Sequence, residues 1–246
     1  MATVLTPALS RESTLRNIHV LLSVQSLLII LLSINRLSSL TGGYVAATEF
    51  LRWVDFNNML ILPLISMVAF YLLKKQLEYN SPAREGGRHV GLNLMFLVGV
   101  YLLAASYGNH EVTNYLHLRF CPDGETSQLC QIIIFNDDAF SHWVFFTGFV
   151  LVNVAIMLIQ ALFPHQTSLN PSDKIWIMLN GLFIGVGIFA NLAFEVIGLD
   201  LYIVALLTAL ALALFWRKGA QPLFIYYATA YSLGLVATVI YRGLIA

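Results

Sequence analysis

Charge is what this sequence has least of. Only 11% of its 246 residues are Asp, Glu, Lys or Arg, and the 13 acids match the 13 bases, so the formal net charge is zero. No basic excess is left to hold a polyanion, and no nucleic acid is expected as a partner. Cysteine is almost missing, at two residues. Cys121 and Cys130 stand too far apart in sequence for the close Cys or His pairs of a structural zinc site. No small-x-small cleavage signal follows the first apolar run, where Ser33-Ile-Asn-Arg-Leu-Ser-Ser stands instead, so that run is expected to stay as a membrane helix. There is no internal repeat and no sign of a second domain, so residues 1–246 are expected to form a single helical domain behind a polar segment, 1–16.

What fills the space is apolar. Hydrophobic residues make up 59% of the chain and the mean hydropathy is +0.78, against about 45–50% apolar residues in a soluble domain. About 20 apolar residues cross the hydrocarbon as a helix. Seven such runs can be drawn, near 17–35, 55–73, 90–109, 138–163, 174–197, 201–216 and 222–241. Leu201 to Trp216 is apolar on every side, which excludes the in-out alternation of a barrel strand. The expected fold class is therefore all-α, a polytopic integral membrane protein with a bundle of seven transmembrane helices.

Charge placement predicts the orientation. With the N-terminus inside, nine of the 13 bases fall in inner segments (Arg11, Arg16, Lys74, Lys75, Arg84, Arg88, Lys174, Arg217, Lys218) and nine of the 13 acids fall outside. That is the positive-inside pattern, N-in and C-out. The inner connection 74–89 then reads as a topology determinant and a headgroup contact. The two cysteines fall in an outer loop, 118–135, on the side where disulfides persist, so a Cys121–Cys130 bridge is expected.

The scarce polar chemistry is concentrated in one stretch. Ser106-Tyr-Gly-Asn-His-Glu-Val-Thr-Asn-Tyr-Leu-His ends segment 3, and Asn136-Asp-Asp-Ala-Phe-Ser-His opens segment 4. Ser106, His110, Thr113 or Asn114, and His117 recur at helical spacing and share a face if the helix continues to His117. Asp138 and His142 are one turn apart. Antiparallel neighbours joined by a moderate loop bring both sets to one depth near the outer boundary. Near the end of segment 5, Asn191 and Glu195 repeat the spacing. Ionisable groups in a bilayer are costly and mark function. His110, Asp138 and His142 are expected as ligands of a divalent metal, zinc or iron, with Glu111, Asp137 or Glu195 as further ligand or general base. Ser106, Asn114, His117 and Asn191 would orient them.

Aromatic residues around this stretch (Tyr107, Tyr115, Phe140, Phe145, Phe146) suit an apolar ligand, though such residues also simply pack helices. The expected function is metal-assisted hydrolysis or oxidation of a lipid or isoprenoid substrate that enters from the membrane on the non-cytoplasmic side. Three readings compete: the same cluster working by acid-base chemistry without metal, haem-based electron transfer, and a non-enzymatic role as transporter, sensor or complex subunit. His89 and His110 are about 31 Å apart along one helix, too far for stacked haems. Ion-coupled transport calls for broken helices and midplane charge, and such charge is nearly absent. The seven-helix hydrolases of the ceramidase and adiponectin-receptor superfamily carry a late His-x3-His pair, whereas segments 5 to 7 hold no histidine. Leu223 to Tyr241 lacks the lysine of a retinal protein. No family is assigned.

Overall fold

The computed structural model of the chain describes residues 7–79, 86–124, 127–195 and 198–245, with the side chains of 7–13, 195 and 245 outside the description. Among the described residues there is no β-strand, only an isolated bridge between Tyr44 and Arg52. Seven helices are long and apolar enough to span a membrane: α1 (Pro7–Leu37), α2 (Trp53–Leu77), α3 (Gly87–Phe120), α4 (Gln128–Leu162), α5 (Pro171–Phe194), α6 (Leu199–Lys218) and α7 (Pro222–Ile245). The protein is an integral, multi-pass membrane protein. Leu64, Leu97, Leu206 and Val239 are each at least 60% exposed, an apolar exterior that suits acyl chains rather than water.

The helix ends have local causes. Ser127 caps α4, its hydroxyl accepting from the Cys130 N–H at 3.2 Å. Asn170 and Asp173 cap the start of α5 reciprocally at 2.8 and 3.2 Å, with Pro171 in the first turn, the residue best suited to open a helix. Gly198 and Gly219 flank α6 at φ values of 88° and 80°, a conformation that favours glycine.

Two expected boundaries move. Polarity alone ends segment 3 near 109 and begins segment 4 near 138, yet α3 continues to Phe120 and α4 already starts at Gln128. The expected loop 118–135 shrinks to the few residues between them. The polar side chains there bond to one another and to backbone carbonyls, so polarity does not break the helix. The expected polar segment 1–16 is helical from Pro7 onward.

Among the described residues, three helices contain a wide π-type turn: Asn57–Ile61 in α2, Phe135–Phe140 in α4 and Asn191–Glu195 at the end of α5. Such turns are rare and occur often at functional positions.

The chain falls into two compact units. One comprises Met1–Ile29, Ala69–Asn93 and Asn153–Ala246. Here α5 and α7 approach closely: a Cβ on Gly181 would lie 2.8 Å from the Tyr226 carbonyl oxygen, and one on Gly234 would lie 2.5 Å from Ile188 Cγ2. Small residues let membrane helices touch in this way. The other unit comprises Ile30–Val68 and Leu94–Val152. There α3 and α4 cross at Gly99 and Gly148, and a Cβ on Gly148 would meet the Gly99 carbonyl oxygen and the Leu103 backbone nitrogen, each at 2.8 Å.

Backbone atoms cannot turn aside, so Gly148→Ala is expected to cost about 1–3 kcal/mol. Gly108→Ala on α3, where a Cβ meets nothing within 4 Å, should match or exceed wild type, since alanine gains up to about 1 kcal/mol of helix propensity. Unfolding midpoints of both variants in detergent micelles check this. Equal midpoints would remove the close crossing.

Candidate functional site

The unit formed by Ile30–Val68 and Leu94–Val152 holds a buried carboxylate at its polar end. Asp137 lies in the wide turn of α4 and is 1% exposed. Its Oδ2 accepts from His117 Nδ1 at 2.9 Å and from Asn114 Nδ2 at 3.4 Å. Its Oδ1 lies 3.0 Å from His110 Nδ1. His110 Nδ1 is close to that buried oxygen but not aligned on it, and it also lies 3.5 Å from the Ser141 hydroxyl. Two imidazoles from α3, two turns apart, thus meet opposite oxygens of one carboxylate on α4.

The wide turn itself explains how Asp137 reaches that position. Widening a helical turn loosens its carbonyls from their usual N–H partners, and side chains take up the slack. Asn109 Nδ2 donates to the Asn136 carbonyl at 2.9 Å, the Ser141 hydroxyl donates to the Asp137 carbonyl, and His142 Nδ1 lies 2.7 Å from the Asp138 carbonyl. Ser106 Oγ donates to the Ser141 carbonyl at 2.8 Å. A carbonyl only accepts, so His142 Nδ1 carries the proton and, in the neutral ring, Nε2 keeps its lone pair.

Of the expected ligands His110, Asp138 and His142, the two imidazoles are near neighbours, with ring centroids 5.2 Å apart. Asp138 is exposed and falls in with different partners: ligand atoms of His117, Asp137 and Asp138 all lie within 4.8 Å of one another. Asp137, expected as a base, is the central carboxylate, and His117, expected as a supporting residue, is in direct contact with it. Asn114 also reaches Asp137, and Ser106 supports it through Ser141.

Glu111 is directed elsewhere. It is buried against Arg36, with Oε1 2.7 Å from Nη2, and Asn58 Nδ2 reaches Oε2 at 3.4 Å. Asn35 Nδ2 donates to Asn58 Oδ1 at 2.6 Å, and Thr41 Oγ1 donates to Asn35 Oδ1 at 2.6 Å. Asn191 and Glu195 belong to the other unit, and the Glu195 side chain lies outside the described residues. Sequence reasoning missed Arg36, Asn58, Asn109 and Ser141. Asn58 sits in the Asp55-Phe-Asn-Asn motif, which reads as a helix cap, and the partner of Arg36 is 75 positions away.

In the other unit, Glu78 is buried between Lys74 Nζ at 2.6 Å and His89 Nε2 at 2.8 Å, and Asn93 Nδ2 approaches the same His89 nitrogen at 3.0 Å. Of the basic connection 74–89, expected to meet headgroups, Lys74 and His89 are buried and paired while Arg88 is exposed. Residues 80–85 of that connection lie outside the described residues.

No known protein family, curated protein or solved structure matches the chain.

Burial pushes the Glu78 carboxyl up, but hydrogen bonds from Lys74 and His89 outweigh it, and together they hold the group below its ordinary value of 4.5. A lowered folded-state value means the stabilisation is complete above that ordinary value and fades as pH falls through the folded one. Thermal unfolding of detergent-solubilised protein should therefore drop in midpoint below pH 4.5. Glu78→Gln, which strands Lys74, should start about 3–5 kcal/mol lower at neutral pH and lack this drop. An unchanged acid profile in the variant would show that Glu78 carries no such linkage.

Proposed function

We propose that this protein is a membrane-embedded enzyme that acts on a lipid or isoprenoid substrate, by hydrolysis in preference to oxidation, at a divalent metal held by His117, Asp137 and Asp138. The observation that carries this reading is the choice of partners around Asp137. Of the other buried acids, Asp55, Glu78 and Glu111 face a guanidinium or an ammonium at 2.6–2.7 Å, Glu78 with His89 beside it, and Asp200 accepts from the Leu201 N–H. Asp137 faces two imidazoles. Arg and Lys neutralise a carboxylate but cannot ligate, whereas imidazole beside carboxylate is the donor set of zinc and non-haem iron.

Bound there, the metal would supply Lewis acidity and a lowered pKa for its water. The chain's own groups handle the rest. His142, its Nδ1–H committed to the Asp138 carbonyl, offers Nε2 as a proton acceptor. His110 lies between His142 and Asp137 and is placed to receive a proton that Asp137 then stabilises. This proton-handling pair favours hydrolysis. Apolar groups beside it, Phe140 and Trp143, are exposed on α4 and suit a substrate arriving from the bilayer. The N-in, C-out orientation with the site on the non-cytoplasmic side agrees with the charge asymmetry and with the Cys121–Cys130 disulfide, whose Cα atoms are 5.6 Å apart, since such bonds persist outside the cytoplasm.

Elemental analysis of the purified protein tests the reading. Wild type should carry at least one divalent transition metal per chain, and His117→Ala and Asp138→Ala should each lower the content and reduce turnover of a fluorogenic lipid ester at least 100-fold. Asp138 is exposed, so its variant should fold normally. A metal-free wild type that turns the ester over would favour acid-base chemistry by the same cluster without metal, and a metal-free, inactive one the non-enzymatic role.

A further inference from the structure

In the unit that holds Asp137, two arginines are paired with buried acids, and they are paired differently. Arg52 closes on Asp55 as a fork on a fork, with Nε donating to Oδ2 and Nη2 to Oδ1, each at 2.7 Å. Arg36 spends a single contact on Glu111, from Nη2 to Oε1 at 2.7 Å. Its remaining N–H groups have no partner among the described residues, and its side chain is 39% exposed. A guanidinium carries five donors in a fixed plane, so two adjacent ones stay open. The support behind this half-used pair is extensive: Thr41 donates to Asn35, Asn35 to Asn58 in the wide turn of α2, and Asn58 to Glu111 Oε2. Such a chain fixes Glu111, and through it the guanidinium.

The open donors stand beside the candidate site. Glu111 directly follows His110 on α3, and the charges of Arg36 and Glu111 act on both His110 and the Tyr107 hydroxyl one turn earlier. Arg36 lies in the last turn of α1, and the next residue, Leu37, is 88% exposed. An open cationic fork next to bare apolar surface is placed where the head of a lipid meets its chain. We propose that Arg36 selects the substrate, and that the lipid it selects carries a phosphate group. The proposal rests on the enzyme reading above and names its substrate class. Two parallel N–H groups match two phosphate oxygens, a fit that an ammonium does not give. Glu111 then keeps the guanidinium in place between turnovers, whereas a closed pair like Arg52 with Asp55 would have no fork to offer.

Two fluorogenic lipids that differ only in the phosphate test this: an acyl-labelled phosphatidic acid and the matching diacylglycerol, given to the full chain in phospholipid-free neutral detergent. Wild type should favour the phosphatidic acid in kcat/KM by about tenfold or more, the worth of one charge-assisted hydrogen bond. Arg36→Gln should lose that preference, chiefly through a higher KM. Because this change strands the buried Glu111, the double variant Arg36→Gln with Glu111→Gln, which leaves two neutral amides, should show the same loss. Dodecyl phosphate should compete with substrate in wild type and do so about tenfold more weakly in the double variant. Turnover of both lipids with the same ratio in wild type and double variant would overturn phosphate selection and leave the metal enzyme standing. Dodecyl phosphate that binds without competing would assign Arg36 to the phosphates of surrounding lipid, against the proposal. If neither lipid is turned over, the enzyme reading falls with it.

Discussion

A carboxylate among apolar helices must find its counter-groups within the chain, because neither water nor lipid will supply them. Asp137 is that carboxylate, and much of its unit follows from accommodating it. The α4 backbone widens at Phe135–Phe140, and Asn109, Ser141 and His142 take the carbonyls of that turn. His110 and His117 extend from α3 to the two oxygens. The disulfide ties the same helices together above the turn. Cys121 follows His117 by one helical turn, Cys130 precedes Asp137 by two, and both sulfurs are packed with Leu116, Ile133 and Ile134 in an apolar cluster. The covalent link and the ionic link therefore hold one helix pair at neighbouring heights, which limits how far the imidazoles can drift from the carboxylate.

The same constraint is met differently at Glu111, Asp55 and Glu78. Each has a permanently charged or strongly basic partner nearby: Arg36, Arg52 or Lys74. Such pairs are hard to reopen, since removing either member leaves a buried charge. At Arg52 the hydrogen bond to Asp55 holds the guanidinium above its ordinary value. A carboxylate balanced by imidazoles is less committed, because a neutral imidazole keeps a lone pair to offer, which a guanidinium or an ammonium lacks. Asp137 stands apart in meeting two imidazoles and no permanently charged partner, whereas Asp173 has the single imidazole of His19.

The spans were legible because hydropathy is summed over 20 residues and no single contact matters to the total. Leu201–Trp216 needs no knowledge of its neighbours to be placed in lipid. The disulfide was legible from the isolation of two cysteines in one connection. Helix ends were less so: hydropathy stops near 109, and the helix runs on past His117 where Asn109, Asn114 and His117 find Asn136 and Asp137 of α4 opposite them. The central place of Asp137 was hidden for another reason. Phase along a helix is extrapolated from a regular turn, and the wide turn starting at Phe135 shifts every residue after it. Arg36 with Glu111 was hidden because sequence gives the sign of a charge and not its partner.

The three wide turns share a sequence character that links these points. Asn57 and Asn58, Asn136 to Asp138, and Asn191 with Glu195 each place short amides or acids at a helix end or just inside a span. These residue types compete for backbone hydrogen bonds and so weaken a regular helix locally. In lipid such weakening is tolerable only where side chains complete the backbone's bonds. A turn of this kind can persist where polar neighbours already gather, and its persistence in turn fixes where those neighbours point. At Phe135–Phe140 the outcome is specific: consecutive acids, one buried and one exposed, have oxygens within reach of a single imidazole on α3. On a regular helix consecutive side chains diverge by about 100°, so the irregular turn is the structural reason that two adjacent carboxylates can serve one site.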